Sequence, residues 1–180
     1  MRRSLLICVL MMTLSLSACG GGGGGSEAEE LALTIRGEYL AMTSCAAQAV
    51  VTADYGQRVY RYELSAAVNG EEALFTLTAP ETVAGLTARI EEDEGWLEYE
   101  GAIPALLETA RSGYLDTCVL EELGEVQALR VVSRDPEEKQ GSGTETTLWF
   151  DAATHALVRG EISQDGVCVL QCEFSQFTKE

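Results

Sequence analysis

The sequence predicts an α+β fold, with helices lying against a long antiparallel meander of about nine strands. Three observations predict it. From Val59 onward, apolar residues recur at every second position in short runs, the period of a half-buried strand. The runs are separated by tight-turn residues, Asn69-Gly70 being the strongest hairpin signal. No run is followed by the long helical crossover that a parallel βαβ unit needs.

The elements follow in order. The chain opens MRRSLLICVLMMTLSLSAC. Arg2 and Arg3 precede an apolar stretch, Leu5 to Leu16, that is too short for a bilayer-spanning helix of roughly 20 residues. Small residues follow, so residues 1–18 read as a secretory leader and are set aside from the fold. Leu16-Ser17-Ala18-Cys19 resembles a bacterial lipobox. That resemblance implies a diacylglyceryl group on the Cys19 sulfur, with Cys19 the first residue after cleavage. The alternative is an ordinary leader cut after Ala18, leaving Cys19 a spare thiol. Residues 19–26 then form a lipidated cysteine with a glycine tether. A glycine run cannot hold a fold, because glycine loses the most backbone entropy on ordering. As a flexible coil it reaches about 15 Å. Two acyl chains anchor a protein stably, each buried methylene contributing about 0.8 kcal/mol.

Residues 27–180 form the domain. Ser26 and Glu29 have the spacing of a capping box. Leu31, Ile35, Tyr39, Met42, Cys45, Ala46 and Ala49 recur at helical spacing, which predicts a helix over 27–50. Val59–Val68 and Glu72–Thr78 pair about Asn69-Gly70. Leu86–Ile90 and Trp96–Glu100 make a second hairpin. A short helix follows near Pro104, and Cys118–Asp135 turns back at Gly124. Residues 136–145 are a polar loop. Three strands complete the chain, with turns at Asp151–His155 and Asp165-Gly166.

Composition narrows the function. The chain of 180 residues carries 29 acidic and 12 basic residues, a net charge of −17. Such a surface repels nucleic acid and anionic headgroups, so membrane attachment has to come from lipid on Cys19. Of six cysteines, Cys45, Cys118, Cys168 and Cys172 belong to the domain. Cys168 and Cys172 share one strand, about 13 Å apart, beyond disulfide reach. Either can pair with Cys45 or Cys118, or all four can be small buried apolar residues. One histidine, His155, lies in a predicted surface turn; this excludes H-E-x-x-H chemistry and fits no zinc pattern. No Gly-Lys pair is present for a phosphate loop, and Gly141-Ser142-Gly143 sits in a polar loop and not on a nucleophile elbow. Residues 91–94 are acidic but lack the alternating ligands and glycine of a calcium loop. No enzymatic activity, cofactor or metal is expected.

The element order, with "YRYEL…LFTLTAPE", "ARIEEDEGWLEYEG" and the closing "LWFDAATHALVRGEI…CEF", resembles the LolA/LolB-like superfamily of lipoprotein carriers over residues 27–177. The resemblance implies an incomplete antiparallel barrel whose open face is covered by helices, with a hydrophobic cavity between them. It also implies a lipid or acyl chain as the ligand, while the lipobox implies palmitate on Cys19 and a place at the extracytoplasmic face of a cell membrane. The residues expected to line the cavity are Tyr60, Tyr62, Leu64, Phe75, Leu77, Leu86, Ile90, Leu97 and Tyr99. From the pattern alone, this set also reads as ordinary core beneath a helix. The other functional reading is an envelope sensor or accessory protein that binds a partner protein and holds no lipid.

Overall fold

The computed structural model describes residues 26–70, 72–90, 101–139 and 141–180. The leader, Cys19 and its glycines, the acidic run 91–94, and the expected return strand with Leu97 and Tyr99 lie outside the described residues.

Helix α1 spans Glu27–Ala41. Its capping box is made: Ser26 Oγ accepts from the Glu29 N–H at 3.3 Å, and Glu29 Oε2 accepts from the Ser26 N–H at 3.0 Å. Ala28, Ala32, Ile35 and Tyr39 form the buried stripe. The expected continuation to Val50 does not occur. The chain leaves the helix at Met42, and the Thr43 N–H donates to the Glu180 carbonyl at 2.7 Å. Residues Ser44–Asp54 are instead strand β1. Cys45, Ala47, Ala49, Val51 and Ala53 are buried while alternate positions are open, a period of two where helical spacing was expected. Alanine is the best helix former, and this run of small residues carries little apolar-polar contrast, so the two periods compete.

Strands β2 (Val59–Asn69), β3 (Glu72–Ala79) and β4 (Thr87–Ile90) follow. Asn69 pairs with Glu72, so the strand runs through Asn69 and the turn falls one residue later than expected. Gly70 has φ +61°, a conformation glycine adopts without a Cβ penalty. Helix α2 is Ala102–Ser112, with Pro104 in its first turn, where the missing N–H costs nothing. Strands β5 (Thr117–Leu123), β6 (Val126–Arg134), β7 (Thr144–Asp151), β8 (Leu157–Gln164) and β9 (Val167–Lys179) complete the chain as antiparallel neighbours.

The nine described strands form one sheet in the order β4-β3-β2-β1-β9-β8-β7-β6-β5. Every pairing is antiparallel. The sheet is open, with β4 and β5 at its two edges. The nine described strands include β1, which was not expected, while the expected return strand 96–100 lies outside the described residues. First and last strands meet at the centre, Val51 opposite Cys172. Helix α1 packs on β5, β6 and α2, while α2 packs on β7 and β9. Two helices therefore weight one half of the inner face, and the β1–β4 half opens into cavities. This is the incomplete antiparallel barrel with helices across its open face that the sequence resemblance implies.

Candidate hydrophobic cavity

The inner face of β1–β4 is fixed by register. Ala53 pairs with Tyr60, Val51 with Tyr62 and Ala49 with Leu64 across β1–β2. Leu64 pairs with Leu77, and Ala66 with Phe75, across β2–β3. Phe75 pairs with Ala88, and Ala73 with Ile90, across β3–β4. Paired residues share a face, so the expected Tyr60, Tyr62, Leu64, Phe75, Leu77 and Ile90 lie on one side of the sheet. Phe75 has alanines on both sides. Small partners beside a large ring leave space over the sheet.

That space is a cavity of about 370 Å³. Tyr62, Leu64, Phe75, Leu77 and Leu86 line it, five of the residues expected from the sequence. Val51, Val83, Thr87 and Ala88 complete the lining and were not expected. Val51 lies on β1 just past the end of the expected helix, and Val83 lies in the loop between β3 and β4, so neither carried a pattern to find it by. Leu64 and Phe75 are buried, whereas Leu86 is 60% exposed at the rim. The hydroxyls of Tyr62 and Thr87 are the only side-chain hydrogen-bonding groups among these residues. An uncharged, apolar lining suits an alkyl chain.

Tyr60 does not line this cavity. Its ring lies parallel to Tyr62, with centroids 6.4 Å apart, and meets Tyr55 edge-on at 6.0 Å. Three tyrosines thus run along the inner face from the β1–β2 turn to the cavity. Ile90 lines a second cavity of about 470 Å³, between α2 and strands β2–β4.

The remaining groups considered in the sequence are structural. Cys45, Cys118, Cys168 and Cys172 are free thiols; Cys45 and Cys172 are buried as the apolar reading expects, whereas Cys118 is half-buried and Cys168 exposed. Burial raises the pKa of each, pushing Cys172 up to about 12. Neutral thiols of this kind are poor nucleophiles. His155 sits in the expected turn at φ +60°, with its Nδ1 2.8 Å from Glu38 Oε1. Lys179 Nζ bonds the other Glu38 oxygen at 2.5 Å and lies 4.8 Å from the Tyr39 ring centroid. Tyr39 Oη donates to the His155 carbonyl at 3.2 Å, and burial pushes its hydroxyl well above the ordinary tyrosine range. This cluster fastens the end of α1 to the sheet. Among the described residues, no group of three or more His, Cys, Asp or Glu is placed to hold a metal ion. No described helix is long and apolar enough to cross a membrane.

No family model matches the chain, and no curated protein matches it. Among solved structures, an uncharacterized conserved protein from Thermus thermophilus is similar at TM-score 0.50 and 15% identity, over 85% of this chain and 87% of that one. A LolA superfamily protein from Nitrosomonas europaea is similar at TM-score 0.39 and 10% identity, over 85% and 93%. The Mycobacterium tuberculosis lipoprotein LppX is similar at TM-score 0.42 and 17% identity, over 83% and 95%. The first likeness is one of fold. Like the expected fold, that of this chain is an open antiparallel sheet with helices against one face.

Proposed function

We propose that the protein is a membrane-anchored, extracytoplasmic lipoprotein that binds a lipid or acyl chain in its half-barrel and performs no catalysis. The observation that carries this reading is the cavity beneath Tyr62, Leu64 and Phe75. It is large enough for a ligand, lined without charge, and formed on the half of the inner face that α1 leaves open. Pockets of roughly 300–1,000 Å³ with apolar walls and few polar groups are the usual small-molecule sites. Its mouth carries tyrosine, a ring with an apolar body and a polar tip.

Anchoring belongs to the same proposal. Cys19 stands at the end of the lipobox-like sequence, and the glycines after it give slack between lipid and domain. Cys19→Ser should abolish incorporation of labelled fatty acid and leave the leader uncleaved. Equal labelling of both forms would remove the anchor from the proposal. For the ligand, native mass spectrometry of the chain released gently from membranes should show a bound mass of lipid size. A bare chain that also fails to take up a fluorescent fatty acid would defeat the lipid reading and favour the protein-partner one.

A further inference from the structure

The second cavity differs in kind from the first. Val68, Ala73, Ile90 and Leu107 give it apolar walls, but Glu108 and Arg111 of α2 also face it. Arg111 is the only cation lining either cavity among the described residues. Its Nε donates to the Tyr39 carbonyl at 3.2 Å, near the C-terminal end of α1. That bond orients the guanidinium and uses one N–H of the five.

Neighbouring acids do not use up this charge. Glu72, which also lines the cavity, is held by Arg89 through Nε at 2.8 Å and Nη2 at 2.9 Å. Glu108 accepts from the Ser112 hydroxyl at 2.7 Å. A cation kept on the inner face of a chain with net charge −17 has a use that solubility does not explain.

The two cavities are neighbours along the same strands. Phe75 and Ala88 are paired and line the first; Ala73 and Ile90 are the next inward pair and line the second. Successive inward positions are about 7 Å apart along a strand. The cavity that Arg111 lines therefore begins one inward position along β3 and β4 from the cavity over Phe75.

We infer that Arg111 is the head-group subsite for an amphipathic ligand with one anionic head, a carboxylate or a phosphate, whose alkyl tail lies in the first cavity. This rests on the lipid-binding reading and adds the ligand's charge and direction to it. A planar guanidinium fork matches either anion with paired hydrogen bonds, and charge assistance makes them strong. Glu108 beside it disfavours a second negative charge, so a singly charged head is preferred.

The test is photocrosslinking of a diazirine-bearing palmitate to the full chain in phosphatidylcholine nanodiscs. The competitors are palmitate, palmitoyl lysophosphatidate and hexadecanol. At least one anionic competitor should displace the probe at a concentration about tenfold or more below that of hexadecanol, as a charge-assisted bond predicts. Whichever anion is the stronger competitor identifies the head as carboxylate or phosphate. In Arg111→Gln the ratio between the better anion and the alcohol should fall to near one, and in Arg111→Lys it should partly return. If the glutamine variant does not fold, Glu108→Gln decides, because removing the adjacent carboxylate should widen the anion's advantage. Equal competition by acids and alcohol in the wild type, or an unchanged ratio in these variants, overturns the head-group subsite while leaving the lipid cavity standing. Absence of any competable crosslink overturns both.

Discussion

Leu106 of α2 lies against the bare backbone of Gly160 in β8, where a Cβ would stand 2.6 Å from Leu106 Cδ1 and 3.2 Å from its Cγ. Glycine inside a strand forgoes packing and costs backbone entropy, so its presence marks a close approach. Here the approach seats α2 on the sheet with Leu106 wholly buried. Gly160→Ala should destabilise the fold by about 1–3 kcal/mol through overpacking. Leu106→Ala should cost about 2–5 kcal/mol. The double variant should cost clearly less than the two added, since the small residue makes room for the new methyl. Urea unfolding of the four forms checks this; strict additivity would show that the two residues do not share the space.

Phe75 is buried, yet it forms a cavity wall. Truncating a residue that already borders empty space removes fewer contacts than truncating one packed on all sides. Phe75→Ala should therefore cost less than the roughly 3–5 kcal/mol of a core phenylalanine. It should also weaken binding of a fluorescent fatty acid. A full core-level loss, with no probe bound by the wild type, would identify the space as a packing defect.

Four carboxyl groups are held below their ordinary pKa. Lys179 does this to Glu38 foremost, aided by His155; the Arg134 hydrogen bond acts on Asp116, the Trp149 indole on Glu121, and the Thr154 N–H on Asp151. A depressed folded pKa contributes stability that is present above the unfolded value and lost as pH falls through the folded one. The protein should lose stability as pH drops below about 4.5, the ordinary value for glutamate. Glu38→Gln should flatten part of that loss. Thermal melts at pH 7, 5, 4 and 3 measure it, and a parallel decline in both proteins would show that Glu38 has no part.

The thiols should react in order of access. Cys168 is exposed, Cys118 half-buried, and Cys45 and Cys172 buried. An aromatic disulfide reagent should label Cys168 first and Cys172 only on unfolding. Mass mapping of the modified peptides reads the order, and rapid labelling of Cys172 in the native state would contradict its place against Val51.

Most of the sheet was legible because its strands alternate and its turns carry the residues tight turns need. Tyr60, Tyr62 and Leu64 share a face for no reason beyond the two-residue period, and Phe75 joins them through the Ala66 pairing. Strand β1 was hidden because its inner side, Val51 apart, is Cys45, Ala47, Ala49 and Ala53, residues as content in a helix as in a strand. The same smallness that hid it leaves room over the sheet, so the least legible strand helps make the cavity. Arg111 could not have been found from spacing. Its meaning depends on α2 facing β2–β4, a tertiary relation that a solvated helix face does not reveal.

The adjacency of β1 and β9 sets the timetable of folding. Ser44 and Thr43 bond to Glu180, and Cys45 stands opposite Lys179, so partners at the middle of the sheet lie at opposite ends of the chain. Until residues 167–179 leave the ribosome, β1 and β8 have no partner between them, and the sheet exists as two unjoined halves. Contacts of such long sequence separation make folding slow. Delay of this kind leaves the two halves of the sheet unjoined until β9 has been made.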